Sequence, residues 1–225
     1  MRAFGIALVA ALALAAATAA GAGATNECHG IQKCIPVAGP WVVVPAHSTA
    51  EYLLTCPQGV VAGLDAQVTS RAVQVSFDGR LGAPVGPGTT TTRYAFFRAV
   101  SSSSAPQTFQ PRLGCVPTQG GGGRSTVSAR ISPPGPSLEY RASVVVIGPS
   151  QVKFARVGCE ANETLVGGWH AVAFRTAKPP TLRHVSLVEA SHRIAGKRVV
   201  ATATSTDALS VDAHAIVQVG AECGP

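Results

Sequence analysis

Six histidines, six cysteines, a run of four serines and one tryptophan followed by cations are the residues of this 225-residue chain whose types could support chemistry. The histidines are His29, His47, His170, His184, His192 and His214, and no two stand at a metal-ligand spacing such as His-x3-His. If Val185 to Ser191 is a strand, His184 and His192 at its two ends lie about 26 Å apart at ~3.3 Å per residue, too far to share an ion. Neither a Gly-x-Ser-x-Gly elbow nor another nucleophile set in a strained turn occurs, so Ser101 to Ser104 reads as a solvated loop. Asp65, Asp78, Asp207, Asp212 and seven glutamates are scattered, several at turns, with no pairing visible for glycoside hydrolysis. The expectation is no catalytic, metal or cofactor residue.

A binding surface is harder to dismiss. The chain holds two Trp, three Tyr and seven Phe. Trp169 beside His170, with Arg175, Lys178 and Arg183 downstream, is where an aromatic and several cations gather. That combination suits an anion- or glycan-contacting loop surface, and a tryptophan capping the core is the competing reading. Asn162-Glu163-Thr164 matches a glycosylation triplet. The four-glycine run Gly120 to Gly123 lacks the preceding strand, following helix and Lys-Ser/Thr end of a phosphate cradle, and it reads as linker.

The elements that would hold such a surface are strands. With 16 Pro and 24 Gly, the chain is punctuated too often for long helices, and its apolar residues alternate. Val73, Val75 and Phe77 alternate before an Asp78-Gly79 turn signal, and so do Tyr52, Leu54 and Cys56. From Val211 to Cys223 the odd positions are Val, Ala or Cys and the even ones are mostly polar, which predicts a strand pair or one long half-buried strand with Cys223 inward.

The same order of features occurs twice. Val42-Val43-Val44 leads to Cys56, then Val61-Ala62-Gly63, the strand at Val73 and a closing Cys115. Val145-Val146-Ile147 leads to Cys159, then Val166-Gly167-Gly168, a strand at Val185-Ser186-Leu187 and a closing Cys223. Six cysteines permit 15 pairings. Equivalence of the two copies selects Cys56–Cys115 and Cys159–Cys223, leaving Cys28–Cys34 as a small N-terminal loop. The chain therefore divides into a signal peptide at 1–24, an N-terminal segment at 25–40, β repeats at 41–116 and 138–225, and a Gly/Pro-rich linker at 117–137. The expected fold class is all-β: two tandem disulfide-closed antiparallel β-sandwich-like repeats after an N-terminal signal helix.

Met1-Arg2, an Ala/Leu/Val run and Ala22-Gly23-Ala24 carry the signal-peptide reading, and nothing later approaches a membrane span. Cleavage removes Arg2 and leaves 17 Lys/Arg against 11 Asp/Glu. That excess favours weak adhesion to anionic envelope polymers or glycans. Basic residues are dispersed and not interleaved with stacking aromatics, which argues against nucleic acid. An even cysteine count in an exported chain places it in the extracellular space or cell envelope.

The Cys56-Pro57-x-Gly59 opening, the Gly167-Gly168 step and the closing Cys223 resemble tandem β repeats of uncharacterised exported proteins from high-GC bacteria. In this chain the second opening is Cys159-Glu160 rather than Cys-Pro. The resemblance implies a fold and no common activity. The functional expectation is an exported non-enzymatic binding or structural module; the alternative is a secreted hydrolase or inhibitor with a loop-assembled site.

Overall fold

The computed structural model describes residues 27–29, 31, 34–78, 93–117 and 138–225. The expected signal peptide, the Gly79 turn position and nearly all of the 117–137 linker lie outside them. The described chain is all-β, and every strand pairing is antiparallel.

The first half contains β1 (Ile35–Ala38), β2 (Trp41–Val44), β3 (Thr49–Thr55), β4 (Val60–Val68), β5 (Val73–Asp78), β6 (Tyr94–Ser101) and β7 (Gln107–Val116). The second contains β8 (Glu139–Val146), β9 (Val152–Gly158), β10 (Thr164–Phe174), β11 (Val188–Ala195), β12 (Arg198–Ser205) and β13 (Ala215–Gly224). A one-turn helix, α1 (Leu182–Val185), precedes β11. In the first half β7 pairs with β2 and β4, and β6 with β3 and β5. In the second, β13 pairs with β8 and β10, and β12 with β9 and β11. β4 carries a bulge between Val61 and Gly63, and β10 one between Leu165 and Gly167. The residues opposite them include Cys115 and Cys223. Disulfides join Cys56 to Cys115, Cys159 to Cys223, and Cys28 to Cys34.

β1 and β2 run along one side of β7 and are interrupted at Gly39-Pro40. Proline has no N–H to give a ladder, and Gly39 N–H donates to Pro111 O across 2.8 Å. Beyond the break, β2 lies between β7 and β10, with Trp41 opposite Phe174 and Val42 opposite Ala173. One seven-stranded sheet thus runs through both halves, and two three-stranded sheets, β3-β6-β5 and β11-β12-β9, pack on it.

The halves meet over a second surface. Leu53 and Phe96 of the first cluster with Tyr140 and Trp169 of the second. The Phe96 and Tyr140 rings stack at 4.3 Å, and Phe96 meets Trp169 edge-on at 4.8 Å. A side chain on Gly220 would collide with the Trp169 ring. The N-terminal loop is seated by the same device, because Glu27 O lies where side chains on Gly63 or Gly114 would project. Glu27 itself is buried, with one carboxylate oxygen 3.7 Å from Arg112 Nη1.

Three local expectations are corrected. Val185 does not open a strand. Thr181, following two prolines, caps α1 by accepting from His184 N–H, and β11 starts only at Val188. This places His184 in a helical turn and His192 in mid-strand. The terminal strand does not run from Val211. A 3-10 turn at Val211–Ala213, capped by Ser210 and ended by His214 at φ 44°, comes first. β13 is buried on nearly its whole length rather than half-buried, because the first half covers the face holding Gln218 and Gly220. Ser101 is buried at the end of β6; the solvated loop begins after it.

Candidate functional site

Of the five residues expected to form a ligand surface, Trp169 is 3% exposed and packed in the aromatic joint. Its ring holds the halves together and is not offered to solvent. His170 is its strand neighbour, pointing to the opposite face of the sheet, where its Nδ1 lies 2.7 Å from His192 Nδ1. Arg175, Lys178 and Arg183 are exposed. Arg183 stands on α1, away from β10 in sequence, and Lys178 takes part through its backbone, its carbonyl accepting from Thr176 Oγ1 at 2.7 Å. The five do not form one surface; Arg175 reaches a cavity.

That cavity, of about 410 Å³, lies at the joint of the halves. Gly39, Pro40, Tyr52 and Gln110 line it from the first half, and Arg175 and Thr176 from the second. The Gly39-Pro40 break, where no strand ladder runs, forms part of its wall. β10 ends at Phe174, and Arg175 N–H donates to His214 O at 3.2 Å, which fixes the guanidinium-bearing residue at the mouth. Gln110 is a wall rather than a donor: its Nε2 donates to Gly39 O at 2.9 Å and its Oε1 accepts from Arg112 Nη2 at 2.9 Å. Tyr52 is 4% exposed, and burial pushes its hydroxyl up to about 12, against the opposing pull of the Arg175 charge. The hydroxyl therefore stays protonated and available as a donor at any physiological pH.

Among the described lining residues there is no carboxylate, histidine, cysteine or serine. A cation, a hydroxyl and apolar walls can hold and orient an anion, but they contain no nucleophile–base pair. A second cavity of about 440 Å³ lies beside the C-terminus, bordered by Glu139, Arg141, Asn162, Glu163 and Pro225. There Arg141 binds Glu163 at 2.5 Å and Glu160 at 3.3 Å, and its hydrogen bond holds the Glu163 carboxyl below its usual range. Cys159, Glu163 and Cys223 bring ligand atoms within 4.8 Å of one another, but both sulfurs are spent in one disulfide and have no lone thiolate for a metal.

No protein-family model, curated protein or solved structure matches this chain. The site is therefore read from its own geometry. Sequence reasoning found Arg175 but missed Tyr52, which looks like any core residue of an alternating strand. The packing of β3 against β10 brings the two together.

Proposed function

We propose that this chain is an exported, non-enzymatic binding module of the cell envelope or extracellular space, built from two copies of one disulfide-closed β unit. Its ligand is an anionic group taken at the joint of the copies. The observation that carries the binding reading is Arg175: it is exposed at the lip of the joint cavity beside the buried Tyr52 hydroxyl, and no carboxylate forms an ion pair with it among the described residues. The duplication is supported by the matching strand pairings and by the bulge each half carries near its closing cysteine. Export is supported by three disulfides with no free cysteine. No helix among the described residues is long and apolar enough to cross a membrane.

The test is retention of the purified protein on peptidoglycan, carboxylated glycans and anionic liposomes over a salt gradient. Binding that fades with salt and falls at least tenfold in Arg175→Glu supports the reading. Equal retention of wild type and variant removes the cavity from it. Turnover of chromogenic esters, glycosides or peptides by the same preparation would replace a binding module with a hydrolase.

A further inference from the structure

His170 and His192 come from opposite layers of the second sandwich. His170 lies on β10, paired with Val219 of the long sheet. His192 lies on β11, paired with Ala201 of the small one. Their Nδ1 atoms approach to 2.7 Å, the rings tilted 54° with centroids 4.9 Å apart. Two nitrogens this close cannot both carry a proton, so one donates and the other presents its lone pair. His170 is half-buried and His192 exposed, which leaves one ring fixed and the other free to turn with solvent on its far side.

We propose that His170 and His192 form a two-histidine site for a borderline divalent cation such as Zn²⁺, water completing the shell. Imidazole nitrogen suits this class of ion. Zn–N bonds of about 2.0–2.1 Å at tetrahedral angles separate two ligating nitrogens by roughly 3.3 Å. The pair opens by about half an ångström, a displacement the exposed His192 ring supplies. On binding, the shared proton leaves Nδ1, and the imidazole that carried it is reprotonated at Nε2 from solvent. Both rings end neutral, each with an Nδ1 lone pair on the ion, and no net proton is released. Among the described residues, no third His, Cys, Asp or Glu ligand atom joins the pair, so the site is open and its coordination half aqueous.

Calorimetric titration of the mature chain with ZnCl₂ at neutral pH tests this, with MgCl₂ as the hard-cation control. The expected result is one Zn²⁺ per chain, no Mg²⁺ uptake, and affinity at least tenfold weaker in His192→Ala and in His170→Gln. His184→Ala should bind as wild type. Because His192 is exposed, His192→Gln serves as a second folded variant. Zn²⁺ uptake unchanged in His192→Ala, or absent from the wild type, would overturn the proposal.

Discussion

Gln218 gives both ends of its side-chain amide to the backbone of a single residue, Leu53: its Oε1 accepts from Leu53 N–H at 2.7 Å, and its Nε2 donates to Leu53 O at 3.0 Å. β3 is the outer strand of its small sheet, so these two backbone groups point away from β6 and would otherwise face an apolar joint. A side chain of the second half thus does for the edge of β3 what another strand would do.

Gln218→Ala orphans a buried donor and a buried acceptor at once. Each costs about 1–3 kcal/mol, so a loss on the order of 3 kcal/mol is expected. At roughly 2–4 °C per kcal/mol for a chain of this size, the Tm falls by about 6–12 °C in a thermal melt. A change under about 2 °C would mean that the joint relaxes to find other partners.

Replacing Cys56 and Cys115 together by Ser opens a loop of 59 residues. The chain-entropy relation assigns such a closure about 4 kcal/mol. The paired variant should unfold at clearly lower denaturant with Cys159–Cys223 intact, and the reverse experiment should cost a similar amount, since its loop is 64 residues.

Gly220 and Gly114 make room for different things, and substitution separates them. Gly220→Ala drives a methyl into the buried Trp169 ring, and overpacking of this kind costs about 1–3 kcal/mol of global stability. Gly114→Ala meets the carbonyl of Glu27, so the N-terminal loop should lift while the sandwich persists. Hydrogen exchange should rise around Cys28 and Cys34 in Gly114→Ala without a matching fall in Tm.

Tyr52 supplies a pH signature. Its hydroxyl, pushed up to about 12 by burial, titrates near 10 once unfolded. The folded state holds the proton longer, so the stabilisation is complete below about pH 10 and is lost as pH rises from there through about 12. Tyrosinate absorbance followed against pH should show a late component, and Arg175→Ala should move it later still, because the guanidinium favours the anion.

Much of this architecture was legible from residue order. The spacing of Cys56, Cys115, Cys159 and Cys223 named the bridges that the fold contains, and the alternation of Val73, Val75 and Phe77 is that of β5. What stayed hidden depends on the second partner of a strand. The even positions of β13 look solvent-facing because Gln218 and Glu222 are polar. Gln218 is polar because it serves Leu53, and Glu222 lies 3.8 Å from Arg98 of the first half. Trp169 stayed open between a ligand surface and a cap on the core for the same reason: the rings that bury it, Phe96 and Tyr140, come from distant stretches. The His170–His192 contact had no linear signature, since 22 residues and a turn of α1 separate the two.

β2 meets β10, whose pairing in the second sandwich is that of β4 in the first, so the joint is a head-to-tail step without a twofold axis. Such a step leaves a molecule with unlike poles. The Glu27 carbonyl and the Cys28–Cys34 ring plug the notch at Gly63 and Gly114 in the first half, and β9 of the second shows Val152 and Phe154 to solvent, 59% and 69% exposed. The long sheet ends on β4 at one side and on β8 at the other, two different edges on one molecule.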